Sequence, residues 1–305
     1  MKKIALLATA ALSGLILSSG AAWAAADAYP SKMIRFVVPY PPGGASDVTA
    51  RLIGQKLSAQ WGQQVVVENR PGANGNIAAD LVAKAPADGY TMLMGNVGPN
   101  AISASLYPKL PYDVVTSFAP VTLTTTVPIV LLVNPELPVR NVKELIAYAK
   151  AHPNKVNFAS AGNGSSNHLT GEMFKSATGV DIVHVPYKGD GPAMTDLMGG
   201  QVAMMFTTIV AAMPHVSSGK LRAIAVASPK RSAAMPDLPT IDESGVPGFN
   251  SSSWGGILFP VGTPKEAVSR MHDGVIKVLA MPDIKEKLNA LGAEVVGNSP
   301  AEFSS

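Results

Sequence analysis

The sequence contains no cysteine. This excludes disulfides, thiolate metal sites and a lipid-modified N-terminal cysteine. Charge is scarce as well, at 15% of residues, and the 24 Lys and Arg nearly balance the 21 Asp and Glu. So even a balance argues against a general nucleic-acid binder. No segment beyond the first residues reaches the about 20 apolar positions that span a bilayer without meeting Gly, Pro or charge.

Enzyme signatures are mostly missing too. There is no G-x-x-x-x-G-K-[ST] phosphate cradle, no G-x-S-x-G nucleophile elbow and no H-E-x-x-H zinc helix. The histidines at 152, 168, 184, 215 and 272 are scattered without ligand spacing, so neither a cofactor nor a metal is expected. Ser165, His168 and Asp190 can be drawn as a triad. A serine and a histidine three apart at a helix start, however, more naturally cap the helix and pack.

At the N-terminus Lys2 and Lys3 precede an apolar run over residues 4–17, followed by Ala22-Trp23-Ala24. Residues 1–24 therefore read as a secretory signal peptide cleaved near Ala24, and the mature protein as soluble and exported. Cleavage removes two lysines, leaving 22 basic residues against 21 acidic, a formal charge of +1. The remaining 281 residues suffice for one large or two medium domains.

With 47% hydrophobic residues, 28 Gly and 25 Pro, the composition fits a well-packed α/β protein with many tight turns. Strand-like runs at 33–38, 64–68 and 90–95 alternate with helical patterns from Ser46 and from about Asn76. A second alternating set has strands at 129–133, 156–159, 182–185, 202–206 and 221–226. Its helices are expected after Asn141, which has Glu144 three residues on, after Ser166 and from Pro192. Such alternation predicts βαβ units on parallel sheets, here two doubly wound units. Residues 228–253 lack periodicity and read as a linker or a long surface connection. A strand at 254–259, a capping box at Thr263-Pro264-Lys265-Glu266 and a strand at 294–296 follow. A further capping box, Ser299 to Glu302, has only three residues after it, which predicts a chain cut short of its last helix.

The most informative segment is Pro39-Tyr40-Pro41-Pro42-Gly43-Gly44-Ala45-Ser46-Asp47. Prolines stiffen it and glycines let a ligand approach its backbone. Ser46 or Asp47 is expected to cap the following helix, whose free N–H groups face the strand end where α/β sheets bind ligands. The second segment, Ser160-Ala161-Gly162-Asn163-Gly164-Ser165-Ser166-Asn167-His168, repeats that logic. One glycine-rich turn is explained by packing alone; two, one per unit, point to a binding site. Hydrogen bonds to a charged group contribute roughly 1.5–3 kcal/mol each and a helix terminus roughly 0.3–1 more. Four or five donors, after desolvation of the anion, leave about 8 kcal/mol, a micromolar affinity that needs no arginine.

Other candidates lie between them. Val185-Pro186-Tyr187-Lys188-Gly189-Asp190-Gly191-Pro192 is a third strand-to-helix turn, with Tyr187 either lining a cleft or packing inside. Asn96, Thr207 and Thr208 follow strands, as site residues or as plain turns. Arg70 faces an anion or, more simply, a structural ion-pair partner.

Together these motifs resemble the periplasmic solute-binding proteins of tripartite tricarboxylate transporters, the TctC or Bug family. The resemblance covers essentially the whole mature chain. It rests on Pro39 to Gly44 with Asp47, Asn69-Arg70-Pro71-Gly72-Ala73, Leu110-Pro111-Tyr112-Asp113, Ser160 to Ser165 with His168-Leu169, and His184-Val185-Pro186-Tyr187-Lys188-Gly189. Gly219-Lys220-Leu221-Arg222, Leu238-Pro239-Thr240, Trp254 with Gly256, and Gly262-Thr263-Pro264 match as well.

The resemblance implies a Venus flytrap of the type II periplasmic-binding-protein kind, with residues 27–126 plus 250–305 as one domain, 127–249 as the other, and ligand in the cleft. It implies a receptor, not an enzyme, that takes a small organic carboxylate, dicarboxylate or aromatic, and delivers it as a monomer to integral membrane permease subunits. The ligand-binding residues it points to are Tyr40, Pro42, Gly43, Gly44, Ser46, Asp47, Asn96, Ser160, Ala161, Gly162, Gly164, Ser165, Ser166, His168, Tyr187, Lys188, Gly189 and Thr207. In one place the chain departs from the pattern: many relatives have an aspartate after the strand that ends at Phe206, where Thr207-Thr208 stands here, which disfavours an amino-acid ligand. A presenter for a sensor kinase, and an exported hydrolase using Ser165 and His168, are the rival readings.

Overall fold

Short β-branched and apolar runs, each followed by a glycine-rich turn and an amphipathic segment, set the element order. In the computed structural model, which describes residues 29–304, that order is β1 (Ile34–Val38), α1 (Ala45–Trp61), β2 (Val65–Asn69), α2 (Asn76–Ala83) and β3 (Thr91–Asn96). A π turn at Gly98–Ile102 runs into α3 (Ser103–Leu106) and β4 (Phe118–Val133). Then come α4 (Val142–Ala151), β5 (Asn157–Ser160), α5 (Ser166–Thr178), β6 (Val183–Pro186), α6 (Asp190–Met198), β7 (Met204–Thr208), α7 (Ile209–Ser217) and β8 (Arg222–Val226). The chain closes with β9 (Ser252–Pro260), α8 (Lys265–Ala280), α9 (Pro282–Ala290), β10 (Glu294–Val295) and α10 (Pro300–Ser304). The signal peptide expected at 1–24 lies outside the described residues.

The strands form one curled sheet in the order β2-β1-β3-β9-β4-β7-β5-β6, with β8 and β10 also paired to β4. β4 joins its halves. Residues 118–128 of β4 pair antiparallel with β9, residues 129–133 with β7 and residues 130–133 with β8. The chain crosses back where the Ser251 amide donates to the Ala227 carbonyl (2.8 Å), immediately before β9. On either side of this junction the strands that carry the glycine-rich loops run parallel: β1 with β2 and β3, β5 with β6 and β7.

Alternate residues of each central strand enter different cores, because successive side chains of a strand point to opposite faces. Phe36, Val38, Met92, Met94, Ile257 and Phe259 pack under α1 and α8, whereas Val37, Leu93 and Leu258 pack against α2. In the other half Ile129, Leu131, Met204 and Phe206 pack with α4 and α5, and Val130, Leu132 and Met205 with α6 and α7. Both faces are covered, which explains the near-continuous apolar runs.

Several local expectations change. β4 begins eleven residues before Ile129. Its first part is threonine-rich and broken by Pro120 and Pro128, so it lacks an apolar pattern; Thr124 Oγ1 donates to the Gly255 carbonyl (2.8 Å) instead. Neither Ser46 nor Asp47 caps α1, which starts at Ala45 after Gly44. Thr263 does not cap α8: its hydroxyl donates to the Pro260 carbonyl (2.8 Å), and Pro264 precedes the helix. α6 starts at Asp190, two residues before Pro192. Residues 228–251 are no free linker, since Ile241, Val246 and Phe249 are buried in the core beside α4 and α5. Asn141 caps α4, with the Glu144 carboxylate reaching back to the Arg140 amide, and the Ser299 capping box forms.

Candidate functional site

At the end of β1 the Asn69 amide donates to the Tyr40 carbonyl (2.9 Å), holding the proline loop against β2. Gly43 turns the chain at φ +95°, a left-handed conformation that glycine adopts without strain. The Asp47 carboxylate then reaches back. It accepts from the Gly43 amide (3.0 Å), Arg51 Nε (3.0 Å) and Asn69 Nδ2 (2.9 Å). Burial pushes its pKa up, but these bonds outweigh it and hold the carboxyl below its ordinary value. The charge is consumed in shaping the loop and no side chain caps α1, whose first-turn N–H groups have no intrahelical partners.

The second loop is built likewise. The Tyr187 and Gly189 amides donate to the carbonyls of Ser160 (3.0 Å) and Ala161 (3.1 Å), tying it to the turn before α6. Ser165 caps α5: its hydroxyl accepts from the His168 amide (3.2 Å) and donates to the Gly162 carbonyl (2.7 Å). His168 Nδ1 accepts from the Gly164 amide (3.1 Å). With both groups so engaged, Ser165 and His168 are not a nucleophile and its base. Behind the loop the His168 and His184 rings stack, centroids 4.0 Å apart, and Ser160 Oγ lies 2.6 Å from His184 Nε2. Burial, with His168 nearby, pushes His184 down to about 4.

The two loops face each other across a narrow cleft lined by Tyr40, Gly44, Ala45, Ser46, Asn96, Ala161, Ser165, Ser166, Asn167, Asp190, Thr208 and Ser253. Its floor is set by Asn96 at the end of β3, whose amide donates to the Trp254 carbonyl (2.9 Å). Tyr40 Oη donates towards Asn74 Oδ1 (3.3 Å), and burial, then the Asp190 charge, push its pKa far up, so the phenol stays neutral. The mouth runs between Pro41, Pro71, Asn74 and Tyr107 on one side and Gly162, Asn163, Tyr187 and Lys188 on the other. Here the walls touch. A Cβ on Gly189, at φ +111°, would stand 2.6 Å from Pro41 Cδ, so only glycine fits.

Of the residues singled out from sequence, Tyr40, Gly44, Ser46, Asn96, Ala161, Ser165 and Ser166 line the cleft. Gly162, Tyr187, Lys188 and Gly189 line its mouth. Tyr187 turns its hydroxyl away, donating to Asp196 Oδ2 (2.7 Å). Pro42 and Gly43 sit on the outer surface of their loop, and Asp47, Ser160, Gly164, His168 and Thr207 support the walls from behind. Arg70 pairs with Glu68. Sequence reasoning missed Asn74, Asn167, Ser253 and, above all, Asp190 as a lining residue. Its position between Gly189 and Gly191, at a helix start after a strand, is the signal that marks it.

A sequence model of the tripartite tricarboxylate transporter family receptor, TctC, matches residues 49–304. The chain belongs to this family. The receptor is 40% identical to BugT of Bordetella pertussis over 293 residues, 95% of this chain and 90% of BugT. Among solved structures it is similar to the periplasmic binding protein BugD (40% identity, TM-score 0.87, covering 90% of this chain and 93% of BugD). Rpa4515 of R. palustris, solved with adipate, is 41% identical with a TM-score of 0.89, covering 90% and 92%. MatC of Rhodopseudomonas palustris, solved with bound malate, is 35% identical with a TM-score of 0.86, covering 90% and 95%. The receptor is thus a periplasmic solute-binding protein of the TctC/Bug type and not an enzyme.

Proposed function

We propose that the receptor captures a small organic carboxylate, dicarboxylates and aromatic acids favoured, between the loops at 39–47 and 160–168, and hands it to the membrane permease subunits of a tripartite transporter. The observation that carries this reading is the pair of helix starts, α1 and α5, on opposite walls of one cleft. Each offers first-turn backbone N–H groups without intrahelical partners, one of them at α5 taken by Ser165, and the positive end of a helix dipole, and hydroxyls of Ser46 and Ser166 flank them. Such a cradle suits a carboxylate, and the structural neighbours solved with adipate and malate support that chemistry.

In this reading residues 27–126 plus 250–305 form one domain and 127–249 the other, and the receptor acts as a monomer. A carboxylate bound to one loop obtains its full set of donors only when the other loop closes on it. Closure is then selected by differential affinity. A thermal-shift panel of dicarboxylates, aromatic acids and neutral analogues tests the reading. At least one carboxylate is expected to raise the melting temperature, since ligand at 100 times Kd adds about 2.7 kcal/mol; stabilisation by no carboxylate contradicts it.

A further inference from the structure

Three helix starts meet at the cleft, those of α1, α5 and α6, and a negative side chain already sits among them. Asp190, the first residue of α6, lines the cleft with Gly44, Ala45, Ser46 and Asn167. Its Oδ1 accepts from Asn167 Nδ2 (2.7 Å) and Thr207 Oγ1 (3.1 Å). Among the described residues its Oδ2 has no hydrogen-bond partner, and it lies 3.4 Å from the point where a Cβ on Gly44 would stand. The carboxyl is enclosed by dense protein while keeping part of its surface open to the cleft. Burial pushes its pKa above the ordinary carboxylate value, and the two bonds offset this only in part. A second polar atom is left over in the same cleft: Thr208 Oγ1 is buried and without a partner among the described residues.

The consequence is electrostatic. A carboxylate seated on the first turn of α1 lies close to Asp190 Oδ2, and two carboxylates at that range repel unless a donor stands between them. A buried acceptor without a donor is itself costly. Both problems are relieved by one group on the ligand, placed next to its carboxyl; a proton taken up by Asp190 would relieve them too, but would leave no preference for such a ligand.

We infer that the receptor selects carboxylates bearing a hydrogen-bond donor, a hydroxyl or an ammonium, on the carbon adjacent to the carboxyl, and that Asp190 Oδ2 is the acceptor that reads it. This rests on the carboxylate reading above and narrows it. It also runs against the expectation drawn from Thr207-Thr208. Thr207 brings no acid to the end of β7, but its hydroxyl helps to hold an acid supplied by α6, so an amino-acid ligand is not disfavoured.

Calorimetric titration with two matched series tests the inference. Succinate, malate and aspartate differ only by hydrogen, hydroxyl or ammonium at one carbon; phenylacetate, mandelate and phenylglycine repeat the comparison on an aromatic frame. In whichever series binds, a donor-bearing acid is expected to bind at least about tenfold tighter than its parent, the scale of one hydrogen bond to a charged group. Asp190→Asn is expected to bring the two within about threefold, in part by tightening the parent acid. Thr207→Val, which removes one bond positioning the carboxylate without facing the ligand, reduces the same advantage and serves if Asp190→Asn does not fold. A parent acid that binds as tightly as its donor-bearing partners, or an advantage untouched by Asp190→Asn and Thr207→Val, overturns the inference and leaves the carboxylate reading standing. Failure of every acid in both series, with another carboxylate stabilising the receptor in the thermal-shift panel, overturns the inference alone; stabilisation by no carboxylate overturns both.

Discussion

Side chains around the cleft divide into those that present themselves to a ligand and those spent on shaping the walls. Asp47 is the clearest of the second kind, and the stacked imidazoles of His168 and His184 are another. Their neutrality matters, because His168 Nδ1 accepts the Gly164 amide only while it carries no proton. His184 is harder to protonate in the folded chain, at about 4, than at its ordinary 6.5, with burial the main cause and His168 the second. As pH falls through that window the unfolded chain takes up the proton first, so stability declines from about 6.5 and levels off near 4. Burial pushes the His168 pKa down as well, and the Glu172 charge at its other edge opposes that shift. Melting temperature measured across pH 4–7 should therefore fall on acidification, and His184→Gln should flatten the fall; an unchanged slope in the variant contradicts this account. At this scale the sequence reveals the loops better than the side chains. Gly44, Ser46 and Ser165 are legible because glycine and hydroxyl residues at a helix start have a local meaning. The partnership of Asp190 with Asn167 and Thr207 is not, because it joins residues 17 and 23 positions apart and depends on how β7 and the two helix starts converge.

Elements that end in an exposed cap report on local energetics separately from the site. Asn141 Oδ1 accepts from the Glu144 amide (2.9 Å), and the Glu144 carboxylate accepts from Arg140 N (2.7 Å) at the start of α4. Asn141→Ala should cost about 1 kcal/mol of stability by chemical denaturation and leave ligand affinity unchanged; a loss of affinity would place α4 in the binding machinery. Elements with strong periodicity or a standard boundary signal, such as β1, β3, α4 and α5, are legible from sequence to within a few residues. β4 is not. Its first half buries threonines whose hydroxyls bond to neighbouring backbone, and its prolines fall where the pairing with β9 bulges or ends. Propensity reasoning reads such a stretch as a loop. α7 follows β7 directly and is capped by no side chain, so it too leaves no start signal.

At the scale of the molecule, one sheet is shared by two sets of parallel strands joined through β4, and each set carries one glycine-rich loop to the same cleft. This arrangement makes the site a property of neither half alone. Close contact between the walls, with Gly44 against Asp190 and Gly189 against Pro41, leaves little room for side-chain bulk. Gly44 has φ −82°, so valine fits its backbone, but the added methyl groups would crowd Asp190 and the seat on α1. The most direct test is calorimetric titration of the most stabilising carboxylate into the wild-type receptor and into Gly44→Val. The account predicts affinity near micromolar for the wild type and a loss of at least about a hundredfold in the variant, about 2.7 kcal/mol, with the melting temperature of the ligand-free protein nearly unchanged. Undiminished affinity in a folded Gly44→Val variant would contradict it.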